Sequence, residues 1–161
     1  MMMNMKIGIF YLISGLTIVI FNINLSAQEW LKKFVPTQTT LSQVEKITGI
    51  TPQMERDDQI LYKLKSGNLF VGISLGNCIK TTWGKWNVEK GIIIYVIFYP
   101  KKNKKPSFYN LESEGMTEGF DSGHKTYKND ELGLYYSTQF GKVSGINLYP
   151  SNQYKNLKCE N

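Results

Sequence analysis

Chemistry needs side chains that attack, shuttle protons or hold a metal, and this chain of 161 residues offers few of them. His124 is its single histidine, which excludes metal sites built on several imidazoles and any reaction that uses two of them. Ser122 and Asp121 stand just before it and supply the residue types of a nucleophile and an orienting acid. A relay requires those groups to converge in space, and three neighbours around a glycine also describe an ordinary exposed turn. Asp57 with Asp58, and Glu112 with Glu114, have the composition of an acid–base pair for glycoside hydrolysis; the alternative is solvated turn residues. No glycine loop for phosphates and no calcium loop occurs, and no cofactor signature is present. The chain reads as a non-catalytic binding or structural module. The competing class is a small-ligand carrier or hydrolytic enzyme with a cleft near His124.

Two further groups are candidates for contact rather than catalysis. Trp83 and Trp86, with Gly84 between them, either line a binding surface or plug the underside of a loop, since aromatic rings bury the most area per residue. Lys101, Lys102, Lys104 and Lys105 fall within six residues and must be exposed. They offer weak electrostatic contact with an anionic surface, or they are a solvated loop guarding the apolar stretch before them from aggregation.

That apolar stretch, Gly91 to Tyr99 ending at Pro100, is the element that must position the rest. Eight β-branched or aromatic residues between Gly and Pro predict a central strand covered on both faces. Upstream, Trp30, Leu31, Phe34 and Val35 form an apolar segment that packs on the core up to Pro36. Thr40 and Gln43 have capping-box spacing; Leu41, Val44 and Ile47 share a face; Gly49 stops the turn, so one helix is expected over 41–48. A hairpin follows from Gln59, turning at Ser66-Gly67-Asn68 and continuing through Leu69 to Leu75, where Gly72 marks a bulge or a close backbone approach. Residues 79–90 read as a loop, and 112–117 as a short helix. Lys125–Lys128, Leu134–Gln139 and Val143–Tyr149 read as three more strands. The expected fold is α+β, one capped helix on a mainly antiparallel sheet of about six strands; a finer division makes it two helix-then-three-strand halves.

Lys6, the apolar run Ile7–Phe21 and Ala27 have the layout of a secretory signal peptide, cleaved after Ala27. Fifteen apolar residues fall short of the ~20 that a membrane span needs, so no span is expected after cleavage. Residues 28–161 then form a single exported domain, periplasmic or secreted. Removing Lys6 leaves 18 basic against 13 acidic side chains, and Arg56 is the sole arginine, which speaks against specific nucleic-acid recognition. Cys78 and Cys159 are an even pair in a chain expected to be exported: a disulfide is the economical reading, two free thiols the other.

The stretch Phe34–Gly49, with its capped helix ending Val-Glu-Lys-Ile-Thr-Gly and the meander after it, resembles the SmpA/OmlA fold of BamE-like envelope proteins. The β-lactamase inhibitor protein, related to them, has two such units. This chain departs from BamE in lacking a lipid-bearing cysteine near the cleavage point. Pro36, Thr40, Val44 and Glu45, then Cys78, Trp86-Asn87-Val88, Pro150-Ser151, Tyr154, Leu157 and Cys159, also resemble a family of small exported bacterial proteins with no characterised function. That resemblance implies export and a Cys78–Cys159 pair, and an envelope protein as partner is the expectation consistent with both. Mass spectrometry of the protein recovered outside the cytoplasm is expected to give Gln28 as its first residue; a retained Met1 would overturn the leader assignment.

Overall fold

In a computed structural model the fold is described for residues 31–56, 58–111 and 115–159. The expected leader (1–27), Trp30, Asp57, Glu112 and Glu114 lie outside the described residues. Among the described residues the fold is α+β: one α-helix of eight residues and a mainly antiparallel sheet.

The helix, α1 (Leu41–Thr48), forms where the local signals agree. Thr40 Oγ1 accepts from the Gln43 amide, and the Gln43 side chain accepts from the Thr40 amide at 2.8 Å, so two orphan donors are satisfied reciprocally. Gly49, at φ +65°, returns its amide to the Glu45 carbonyl. Ahead of it, Pro36 is buried and the chain docks on the start of the central strand, with Thr37 N–H donating to Ile93 O and Ile93 N–H to Thr39 O.

The strands are β1 (Met54–Glu55), β2 (Gln59–Lys63), β3 (Gly67–Ile73), β4 (Ile79–Thr81), β5 (Gly84–Trp86), β6 (Ile93–Pro100), β7 (Thr117–Asp121), β8 (His124–Asn129), β9 (Leu134–Gln139) and β10 (Lys142–Leu148). Eight form one sheet in the order β1-β2-β3-β6-β10-β9-β8-β7, every pair antiparallel; β4 and β5 make a separate hairpin. Each set of four walks inward from an outer edge, and the last strands, β6 and β10, pair through Ile97 and Asn147 at the centre.

Alternation along these strands separates two faces. Ile60, Tyr62, Leu69, Val71, Val96 and Phe98 point to the core, which Val44 of α1, Phe34 and Tyr109 close from above. All of these are at most 5 % exposed. Among the described residues, the other face is covered only in part. There the β4–β5 hairpin and the C-terminal tail lay Trp86, Val88, Tyr154 and Leu157 over Ile94 and Tyr95.

Four sequence expectations are corrected. The first hairpin turns at Lys65-Ser66, with Leu64 and Gly67 exchanging both backbone bonds, so Gly67 already belongs to β3. It is glycine because a Cβ there would strike the Tyr99 carbonyl, Phe98 and Pro100. Residues 79–90 are not all loop: two three-residue strands form within them. The helix expected at 112–117 fails at its described end, since Gly115 is a turn at φ +72° and Thr117 opens β7. β7 was hidden because all five residues are exposed and show no apolar alternation.

The tail is held by Asn87 N–H to Leu157 O, by Cys159 N–H to Lys85 O, and by the Cys78–Cys159 disulfide, whose Cα atoms are 5.7 Å apart. The bond spans 81 residues of sequence. In the chain-entropy picture such a loop removes about 4.5 kcal/mol of freedom from the unfolded state. Double substitution to serine is therefore expected to lower the unfolding free energy in urea by several kcal/mol. A loss under about 1 kcal/mol would mean that the tail docks equally well without its bond.

Candidate functional site

The uncovered part of the second sheet face begins where the hairpin ends. Gly72 carries the ring of Tyr95 directly upon it, so any side chain at 72 would collide with that ring. The close approach expected of Gly72 is thus present, and the register shifts between it and Ile73. Gly145 does the same for Tyr99, whose ring would lie 3.4 Å from an added Cβ. Glycine gaps in β3 and β10 therefore let two tyrosines of β6 lie flat along the sheet.

Beside Tyr95 opens a cleft of about 570 Å³, lined by Gln59, Lys80, Thr81, Trp83, Tyr95 and Ile97 among others. Gln59 Nε2 donates to Tyr95 Oη at 3.0 Å. Burial nonetheless pushes the Tyr95 hydroxyl above its ordinary value, outweighing the bond to Gln59. The cleft is walled by Trp83, which sits in the β4–β5 turn. Its indole stacks on Tyr149 with ring centroids 4.4 Å apart and leans on Tyr135 at 5.6 Å. Tyr149 is itself fixed: its hydroxyl donates to Asp130 Oδ1 at 2.9 Å, and Asp130 Oδ2 lies 3.0 Å from Lys128 Nζ.

The two tryptophans have opposite fates. Trp86 is 4 % exposed and plugs the space under the hairpin, so the binding-surface expectation narrows to Trp83. Both lie on one short hairpin, but Trp86 is in a strand facing the sheet and Trp83 is in the turn. That distinction was invisible while residues 79–90 read as a loop.

His124 does not assemble with its neighbours into a relay. Ser122 Oγ donates to Asp121 Oδ1 at 2.9 Å, whereas His124 Nδ1 lies 3.1 Å from the Ser122 backbone carbonyl. The three form the β7–β8 turn, on the opposite half of the sheet from the Trp83 cleft. Asp58 lies at that cleft. Among the described residues no three His, Cys, Asp or Glu side chains are grouped to hold a metal ion.

The lysines gather at one end of the sheet. Lys101 N–H donates to Ser66 O and Val143 N–H to Lys104 O, which draws the β2–β3 turn and the start of β10 around the lysine run. A second cleft, about 450 Å³, is lined there by Lys65, Ser66, Lys101, Lys102, Lys104, Phe108 and Tyr109. Lys105 is exposed beside it. Sequence alone showed the run but not the partners that other loops add.

No protein-family model, curated protein or solved structure matches this chain. Its class rests on the geometry: an α+β domain whose sheet is packed on one side and half-covered on the other by a disulfide-tied hairpin and tail. No helix among the described residues is long and apolar enough to cross a membrane.

Asp130 provides a pH test of the Trp83 platform. Burial raises its pKa, but the bonds from Lys128 and Tyr149 outweigh that and leave it below its ordinary value of 3.8. A depressed folded-state value contributes stability that is present above the ordinary value and lost as pH falls through the folded one. Wild type is therefore expected to melt at a higher temperature than Asp130→Asn at pH 7, with the gap closing in acid below pH 3.8. A gap constant from pH 7 to pH 2 would show that the carboxylate does not hold the platform.

Proposed function

We propose that this chain is an exported, non-catalytic binding module of the bacterial cell envelope, which holds an envelope protein against the uncovered part of its sheet. The observation that carries this reading is the aromatic strip at the bare end of β6. Tyr99 is 49 % exposed and meets Phe70 edge to face at 5.8 Å, with Ile97 and the Trp83 cleft alongside. Aromatic rings held in place by glycine gaps offer contact area at little further cost in side-chain entropy.

Export is supported by the composition of residues 1–27 and by the disulfide, which persists in oxidising compartments. The strand order adds a second argument. The expected halves had three strands each; the sheet instead divides into two sets of four that meet at β6 and β10, with α1 ahead of the first and only the 3₁₀ turn Pro106–Tyr109 ahead of the second. That organisation agrees with the resemblance to BamE-like proteins and the β-lactamase inhibitor protein.

A second reading, a small-ligand carrier, is favoured by the 570 Å³ cleft, which lies at Tyr95 rather than near His124. The two readings separate in intact cells. A photoreactive residue at Tyr99 is expected to give one discrete adduct with an envelope protein, and the same residue at the exposed Lys46 of α1 none. Monomer alone at Tyr99 would overturn the protein-binding reading, and a small molecule retained in native mass spectrometry would replace it.

A further inference from the structure

One end of the sheet collects positive charge and bare aromatic rings from separate loops. Lys65 comes from the β2–β3 turn, Lys101, Lys102, Lys104 and Lys105 from the segment after β6, and Lys142 from the start of β10. All six are exposed. Neither ion pair among the described residues involves them: these are Lys125–Glu118 and Lys128–Asp130. Asp121, a carboxylate at this end, accepts from Ser122 in the β7–β8 turn.

Three phenylalanines share that end. Phe108 is 52 % exposed, Phe120 near the close of β7 is 77 %, and Phe140 in the β9–β10 turn is 94 %. Phe140 also has φ +51°, a left-handed conformation that a bulky residue adopts at a cost and that Asn before Gly141 would suit. A strained, fully exposed aromatic ring at a hairpin tip has no role in the fold, which points to a use outside it.

We propose that this end of the sheet docks on an anionic lipid bilayer, the lysines among the headgroups and the phenylalanine rings at the acyl boundary. A polyanion would satisfy the lysines but give the rings no apolar medium to enter. Phenylalanine, with no polar atom, gains from burial and not from a hydrogen bond. Arginine, the better residue for bidentate recognition of individual phosphates, is absent from the cluster. Docking through this end leaves the strip around Tyr99 and Trp83 on the sheet face beside it, so the inference stands whether or not that strip binds a protein.

The test uses the protein as the cell processes it, with vesicles of phosphatidylcholine alone and with phosphatidylglycerol added, at low and high salt. Wild type is expected to sediment with the anionic vesicles only, and less at high salt. At roughly a factor of five per lysine near a charged bilayer, Lys101→Gln with Lys104→Gln should weaken binding about 30-fold. Phe140→Asn should weaken it severalfold while the melting temperature holds or rises. Equal binding to neutral vesicles, or anionic binding that Phe140→Asn leaves unchanged, would overturn the proposal. So would heparin binding as tight as vesicle binding and indifferent to Phe140, which would assign the end to polyanions instead.

Discussion

The structure depends on one requirement: β6 is apolar on both sides, so both sides must be kept from water. One side is met by packing, where Val96 and Phe98 are fully buried beneath α1 and the segment around Phe34. Among the described residues, no full second sheet or helix layer meets the other. The chain instead folds residues 79–88 into a small hairpin, lays its own tail across that hairpin and ties the two with a disulfide. Ile94 is thereby sealed to 2 % exposure, and the cover gives out before Tyr99. The half-exposed tyrosines, the cleft and the Trp83 platform all arise at that border.

Elements with local signals could be read from sequence, and elements made by tertiary contact could not. α1 appears at the expected residues because its start and stop are written in adjacent positions: Thr40 with Gln43, then Gly49. β9 likewise spans the expected Leu134–Gln139, set between two turns. β4, β5 and β7 escaped because strands of three residues, or with no buried side, carry no periodicity; they exist because the sheet and the tail offer them partners. The candidate site shows the same division. Lys101 to Lys105 are contiguous and therefore visible, whereas Lys65 and Lys142 join them through two backbone hydrogen bonds that no local pattern announces. Gly72 was legible as an anomaly within a strand, but only the fold reveals that it is the seat for Tyr95.

Glycine and tyrosine act here as a pair. Gly72 and Gly145, on the two neighbours of β6, remove side chains just where Tyr95 and Tyr99 need to lie flat. The sheet surface becomes a shallow aromatic floor instead of a field of upright side chains. Such a floor suits broad contact with another surface better than capture of a small polar molecule, whose recognition calls for convergent donors and acceptors.

The bond between Cys78 and Cys159 also makes a covalent ring of the chain from the second hairpin to the tail. A protease that cuts within that ring opens a loop without freeing a piece. A singly nicked molecule gains one water but loses no residue and keeps every strand of the sheet, and it comes apart only when the sulfur bond is reduced as well. Loops inside the ring, the lysine-rich one included, can therefore be exposed to proteases with less risk to the whole than their composition alone would suggest.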